Sequence, residues 1–294
     1  MQIASATNFA CPIDGIALDI TPGQPWRCGN GHSFDVAREG YCNLLVVQHK
    51  ASRDPGDTAE MVAARRRVLD TGIYAAITEA VFARIQTLAS AQSGPLRVVD
   101  AGCGDGYHLA GIADLAAASD AVGSLELTGT DVSKWAVRAA AKRRSVVPSP
   151  ISWAVANNRH LPFQHNSVDV MLCLFGFPVW QGFSPVLAPD GRVVLVDPGP
   201  EHLAELRAVI YPSVTRSPVA SLAAAERVGY ELESTMPLTY PATLATPTQI
   251  ADLFAMTPHA HRAPETGRAA LRVLDQLTVT VDVVVRQLKL AGPR

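Results

Sequence analysis

Neither sign of charge predominates in this chain of 294 residues: 25 Lys and Arg stand against 27 Asp and Glu, for a formal net charge of −2. A nucleic-acid partner would therefore have to be met by a local basic patch and not by the field of the whole molecule. Cysteines are few, five in all, an odd number scattered along the chain. That argues against a disulfide framework and suits a reducing cytosol. No apolar run is long enough to span a bilayer, and Met1 to Ala10 lack the positive start and apolar core of a signal peptide. A cytoplasmic protein with no membrane partner is expected. Internal repeats and low-complexity tracts are absent as well, which sets aside solenoids and biased linkers. What the chain has is apolar material, 48% of its residues, enough for one large domain or a core domain with an appendage.

The most informative stretch is Val98-Val99-Asp100-Ala101-Gly102-Cys103-Gly104-Asp105-Gly106-Tyr107-His108-Leu109. Leu96 to Val99 reads as a buried parallel strand that breaks at once into glycines spaced Gly-x-Gly-x-Gly, ahead of a helix. Glycine there permits a tight turn and lets a ligand approach the main chain without meeting a Cβ. A dinucleotide fingerprint needs glycine where Tyr107 stands, so a nucleoside without a pyrophosphate is favoured over NAD. Asp100, just before the corner, suits the charged amino acid end of S-adenosylmethionine (SAM), and the pattern resembles the class I methyltransferases. In that resemblance Gly102, Gly104 and Gly106 cradle the cofactor.

Leu125 to Asp131 reads as the next strand. An acid at its end is where a Rossmann-like sheet holds two ribose hydroxyls, because one carboxylate can accept from both; Asp131 takes that role, with Val132 beside it. Ser133 is placed to cap a helix from Lys134 to Arg144. After a strand from Ile151 to Val155, the run Ala156-Asn157-Asn158-Arg159-His160-Leu161-Pro162-Phe163 resembles the Asp-Ala-x-x-Leu-Pro-Phe stretch of many methyltransferases. That resemblance brings Asn157 to the adenine amino group, through its amide oxygen, and counts Leu161 among the cofactor contacts. Ser167 to Cys173 and Gly191 to Asp197 read as two more buried strands. The alternation predicts an α/β fold: a Rossmann-like class I methyltransferase sheet with helices on both faces.

Near the N-terminus, Cys11-Pro12-Ile13-Asp14-Gly15 and Trp26-Arg27-Cys28-Gly29-Asn30-Gly31-His32 have the spacing of a zinc ribbon. Cys11, Asp14, Cys28 and His32 are the candidate ligands, with Cys42 as an alternative fourth. So small a segment has little core of its own, and a metal would supply much of its folding energy. The other reading is a metal-free hairpin held by Trp26, Phe34 and Tyr41.

The run Cys28-x3-His32-Ser33-Phe34-Asp35-Val36-Ala37-Arg38-Glu39-Gly40-Tyr41-Cys42-Asn43-Leu44-Leu45, followed by Gln48 to Arg66, resembles the bacterial 23S ribosomal RNA guanine-N1 methyltransferases. That family sets a zinc ribbon before a class I methyltransferase domain. The likeness continues through Asp131-Val132-Ser133-Lys134, Ala139 to Arg143, Pro198-Gly199-Pro200-Glu201-His202-Leu203 and Met256-Thr257-Pro258. It implies three parts: a ribbon-like module over 1–50, a helical lid or linker over 51–92, and a SAM-binding domain over 93–294. It also lays Tyr74, and the helix starting near Asp57 or Thr58, over the SAM pocket. The basic run Arg65-Arg66-Arg67 on that helix admits two readings, a solvated face or a contact to phosphate or substrate.

Departures from the family fall outside the SAM grip. Asp14 stands where the family has Cys. The loop after the fourth strand reads Leu174-Phe175-Gly176-Phe177-Pro178-Val179-Trp180, and Phe175, Phe177 and Trp180 are candidates for the walls of the acceptor pocket, or else for core packing. In Met256-Thr257-Pro258-His259-Ala260-His261-Arg262, two histidines replace two ring systems, making His261 a candidate for proton removal or an exposed loop residue. Further on, helices over 198–211 and 218–228, a helix and loop over 246–261 and an inserted antiparallel strand over 277–285 are expected. The function implied is methyl transfer from SAM to a ring nitrogen of a flipped guanine in 23S rRNA. A family member diverted to a small heterocyclic or aromatic metabolite, and a SAM-binding protein without catalysis, are the alternatives. A homodimer is left open.

Overall fold

The computed structural model describes the chain apart from residues 22, 50–54, 120, 122, 144–149, 215, 217 and 292–294 and the side chain of 261. The chain opens on a short strand, β1 (Gln2–Ala4), then forms an antiparallel ribbon from β2 (Leu18–Asp19), β3 (Trp26–Cys28) and β4 (Ser33–Phe34), before β5 (Tyr41–Asn43). Two helices follow, α1 (Ala59–Leu69) and α2 (Ala75–Ser90). Thr58 starts α1, its hydroxyl accepting from the Met61 N–H, and Val62, Ala64, Val68 and Leu69 make its buried stripe.

Strand and helix then alternate as β6 (Leu96–Ala101), α3 (Tyr107–Ala118), β7 (Ser124–Asp131), α4 (Lys134–Ala141), β8 (Ser152–Val155) and β9 (Val168–Leu174). A short α5 (Trp180–Phe183) leads to β10 (Leu187–Pro198), followed by α6 (Ala204–Ile210) and α7 (Ala223–Glu226). The C-terminal part runs through β11 (Tyr230–Leu244), α8 (Pro247–Ala255), α9 (His259–Arg262), α10 (Glu265–Arg272) and β12 (Leu277–Leu290).

These strands form a sheet in the order β11-β12-β10-β9-β6-β7-β8-β5, with β1 pairing the start of β7. From β10 across to β5 the pairs are parallel, and β12 runs antiparallel between β10 and β11, the inserted strand expected from its sequence. Adjacent residues of β6 serve opposite faces. Val98 packs with α2, α3 and α6 through Ile77, Leu109, Ile112 and Leu206, while Val99 packs with Phe9, Trp26, Met171, Phe183 and Leu187. The ribbon thus shares a core with the sheet, to which β1 and β5 also contribute strands.

Some expectations are corrected. The helix over 218–228 shrinks to α7, and the helix from Lys134 ends at Ala141, with Arg144 outside the described residues, as are 50–54 of the family stretch. The long strand β11 has no counterpart in the sequence reading. Pro237 and Pro241 disguise it, yet an edge strand tolerates proline because one row of its N–H groups faces no neighbour. Among the described residues no helix is long and apolar enough to cross a membrane.

Candidate active site

The glycine corner lies where β6 ends and α3 begins. Gly102 and Cys103 both donate backbone N–H groups to the Thr130 carbonyl, at 2.8 and 2.9 Å, which stitches the corner to β7. Gly102 has φ 97° and faces open space, so a Cβ there would enter the room a ligand needs; Gly106, at φ 77°, is wedged against Trp153 and Ala140. Asp131, at the tip of β7, accepts from the Gly104 N–H at 3.0 Å and from the Ser133 N–H at 2.8 Å. Ser133 in turn donates its hydroxyl to the Asp57 carbonyl at 2.7 Å and caps α4, so the segment before α1 is tied down beside Asp131.

Asp100 is the unusual group. It is 2% exposed, and its Oδ1 has no hydrogen-bond partner among the described residues. Burial, reinforced by the charge of Asp131, pushes its carboxyl up to about 7. A buried carboxylate oxygen without a donor among the described residues, next to an open glycine turn, fits the cationic amino acid end of SAM, which would satisfy it. Val132 follows Asp131 and is half-buried, and Leu161 is buried. Asn157 already has partners at both ends of its amide: it donates to the His49 carbonyl at 3.0 Å and accepts from the Arg159 N–H at 2.8 Å. A remaining lone pair on its oxygen is what an adenine amino group would use.

On the acceptor side, the structure separates residues that the sequence grouped. Phe175 sits at φ 55°, a left-handed conformation seldom adopted by a bulky residue, and stacks on the buried Tyr74 ring with centroids 5.1 Å apart and planes 18° apart. Gly176, next in the chain, lies near the Cys173 sulfur and the Ala101 carbonyl, where β6 enters the glycine corner. Phe177 is 91% exposed. Trp180 does not join them: it is buried against Tyr230 and Phe183, at 4.8 and 6.2 Å between centroids, in the core of the opposite face. His261 belongs to α9, whose neighbour His259 accepts or donates at Nδ1 to the Tyr211 hydroxyl, 3.2 Å away.

The basic run of α1 is largely spent inside the protein. Arg65 pairs with Asp57, Arg66 with Asp70 at 3.6 Å, and Arg67 makes two hydrogen bonds to Asp252 of α8, at 2.7 and 2.6 Å. A residue that the sequence reading quoted but gave no role is His202, 3.2 Å from the Tyr74 hydroxyl. No local pattern announces it, since the two lie 128 positions apart.

In the ribbon, the donor atoms of Cys11, Asp14, Cys28 and His32 all lie within 4.8 Å of one another. Nδ1 of His32 is 3.5 Å from Cys11 Sγ, 3.4 Å from Cys28 Sγ and 3.0 Å from Asp14 Oδ2. Four ligands on a tetrahedral zinc, with bonds of about 2.0–2.3 Å, stand roughly 3.3–3.8 Å apart, so this donor set and spacing fit zinc. Cys42 is not in the cluster; its thiol is buried and directed at the Phe34 carbonyl. Asp14 is the fourth donor.

Comparison with known proteins agrees with this arrangement. The family model described as RlmA, N-terminal, matches residues 9–53, and a methyltransferase domain model matches 98–191. A Bacillus subtilis protein named as a 23S rRNA (guanine-N1)-methyltransferase is 31% identical over 280 residues, covering 94% of each chain. The chain belongs to this methyltransferase family. A Streptomyces fradiae relative named 23S rRNA (guanine(748)-N1)-methyltransferase is 38% identical over 182 residues, covering 61% of this chain and 60% of its own. A Micromonospora griseorubida relative, also named for 23S rRNA guanine-N1, is 37% identical over 217 residues, or 68% of each chain.

This methyltransferase is SAM-dependent. Bound SAM supplies a methyl group already activated on a sulfonium, so the protein needs to add alignment and exclusion of water more than covalent help. If Asp100 answers the cationic end of SAM, the binding is expected to depend on pH. Its carboxyl titrates at about 7, far above its value in an unfolded chain, so ionising it destabilises the ligand-free fold as pH rises toward 7. A cationic ligand needs the ionised form. SAM affinity is therefore expected to fall by up to about tenfold per pH unit below 7, and to lose that dependence in Asp100→Asn, as calorimetry between pH 5 and 8 would check.

Proposed function

We propose that this methyltransferase acts on N1 of a guanine in 23S rRNA, presented to the pocket as a flipped base. The observation that carries the reading is the ribbon: although Asp14 replaces a cysteine, the four donors still converge on one point. A metal-organised module ahead of the catalytic domain suits docking on a large RNA, and a small-molecule acceptor would have no need of it. The names of the relatives point the same way.

Each part of the site then has a task. The glycine corner and Asp131 hold the nucleoside, Asp100 answers its positive end, and Phe175, braced by Tyr74, offers a flat wall for a planar base. The exposed Phe177 is free to stack on a neighbouring unpaired nucleotide. The expected result is transfer of label from methyl-labelled SAM to undermethylated 23S rRNA, recovered after digestion as N1-methylguanosine. Label confined to a small-metabolite extract would replace the RNA reading with the diverted one, and label in neither fraction would leave a SAM-binding protein without catalysis.

A further inference from the structure

A chain of net charge −2 meets RNA through a local excess of cations, and the run on α1 does not supply it, since Arg65, Arg66 and Arg67 are each paired with an acid of the protein. A second set lies on α4. Lys134, Arg138 and Lys142 are four residues apart, which sets them in one row about 12 Å long. Ala136, Val137 and Ala140 make the buried side of α4, and the row occupies the other side. It begins just beyond Asp131, at the rim of the glycine corner, and runs away from it. Near its start, the Lys134 ammonium lies 4.8 Å from the centre of the Trp135 ring. At its far end it meets the chain leaving the ribbon. There the backbone turns, the Gly40 N–H donating to the Ala37 carbonyl at 2.8 Å, and Glu39 reaches across to α4. Its Oε1 accepts from Nε of Arg138 at 2.9 Å and lies 3.7 Å from Nζ of Lys142. The hydrogen bond from Arg138 holds the Glu39 carboxyl below the usual range, so the acid stays ionised. Arg38, in the same turn, is exposed and makes no ion pair or hydrogen bond among the described residues.

The row and Arg38 together set four cations against Glu39, along a line from the ribbon's exit to the rim of the donor site. A phosphodiester strand carries charge at a regular repeat, and an evenly spaced row of cations answers it. A cation beside an aromatic face, as at Lys134 and Trp135, is the pairing that grooves for single strands use. We infer that this row is the track for the RNA backbone: Arg38, Lys134, Arg138 and Lys142 meet the phosphates of the strand that carries the flipped guanine, and Glu39 keeps Arg138 and Lys142 in line. Arg38 and Glu39 belong to the ribbon's exit and α4 to the catalytic domain, so the strand spans both parts. The inference rests on the rRNA reading and adds to it where the strand lies. Contacts of this kind position the RNA and do not read its sequence.

Filter binding of undermethylated 23S rRNA between about 50 and 200 mM salt tests it. Arg138→Gln and Lys142→Gln are each expected to weaken binding about three- to tenfold at the low end, and to flatten the plot of log Kd against log salt by about 0.7–0.9. The KM for RNA should rise with them, while kcat, the Kd for S-adenosylhomocysteine and the zinc content stay native. Glu39→Gln separates a track from a brace. If the ion pair only held the ribbon to α4, losing it would weaken RNA binding, whereas taking an acid out of a phosphate track should tighten it about two- to fivefold. Arg192→Gln, which removes a cation paired with Glu233 at the other edge of the sheet, should keep the native slope. A native slope in the Arg138→Gln, Lys142→Gln double variant, weaker RNA binding in Glu39→Gln, or an equal loss in Arg192→Gln would each overturn the track. A native chain that neither binds nor methylates RNA would overturn the rRNA reading and this inference together, whereas native methylation with an unaltered slope in the row variants would overturn this inference alone.

Discussion

Asp131→Ala is expected to raise the Kd for S-adenosylhomocysteine by about 10- to 100-fold, the cost of losing hydrogen bonds to a half-buried charged group. The carboxylate ends β7 and is already an organising centre, since the Gly104 and Ser133 N–H groups both donate to it. Removing it leaves those two N–H groups without an acceptor and takes away the group that would receive the ribose hydroxyls. The corner and the sugar lose together. Asp131→Asn separates the two parts, because an amide oxygen still accepts one of the N–H groups but carries no charge; it should fall between native and Ala. Calorimetry at fixed pH measures the series, with thermal melting to confirm that each variant is folded. Native affinity in Asp131→Ala would move the ribose elsewhere and remove this residue from the site.

Stripping zinc with a chelator, or replacing Cys28 with Ser, is expected to release the metal and leave the ribbon open to proteolysis while SAM binding persists. The ribbon strands are only two or three residues long, far too short to fold on hydrogen bonds alone. Structural zinc contributes about 10–16 kcal/mol in small zinc-binding peptides, so its loss should outweigh whatever Trp26 and Phe9 contribute by packing against the sheet. The glycine corner rests on β6, β7 and α3 and should stand without the ribbon. Asp14→Cys provides a graded control: a thiolate is a softer ligand than a carboxylate, and this variant should hold zinc more tightly than the native chain. Elemental analysis of purified, zinc-replete protein checks these outcomes. A native chain that retains no metal would leave the converging donors as a hydrogen-bonded cluster only.

Much of the site is legible in the primary structure because its chemistry is local. Gly102, Gly104 and Gly106 follow an apolar strand directly, and Asp131 closes the next strand, so the backbone demands of the turn and the placement of the acid are each written within a few positions. The four metal donors come from two short turns and can be read from their spacing. Aromatic and basic residues are different. Trp180 reads equally well as a pocket wall or as core until Tyr230, on a strand that two prolines disguise, is seen to cover it. Arg67 looks like a free cation on a helix face until Asp252 is brought across from α8.

By itself, then, the sequence determined the alternating α/β order, the glycine corner with its two acids, and the ribbon donors, since each depends on residues close along the chain. Only the tertiary structure decided that Asp100 is buried with one carboxylate oxygen unpartnered among the described residues, that Asp14 and not Cys42 completes the metal cluster, and that His202 stands against Tyr74. Burial and pairing of this kind depend on which distant segments the sheet brings together, and on how little water is left between them.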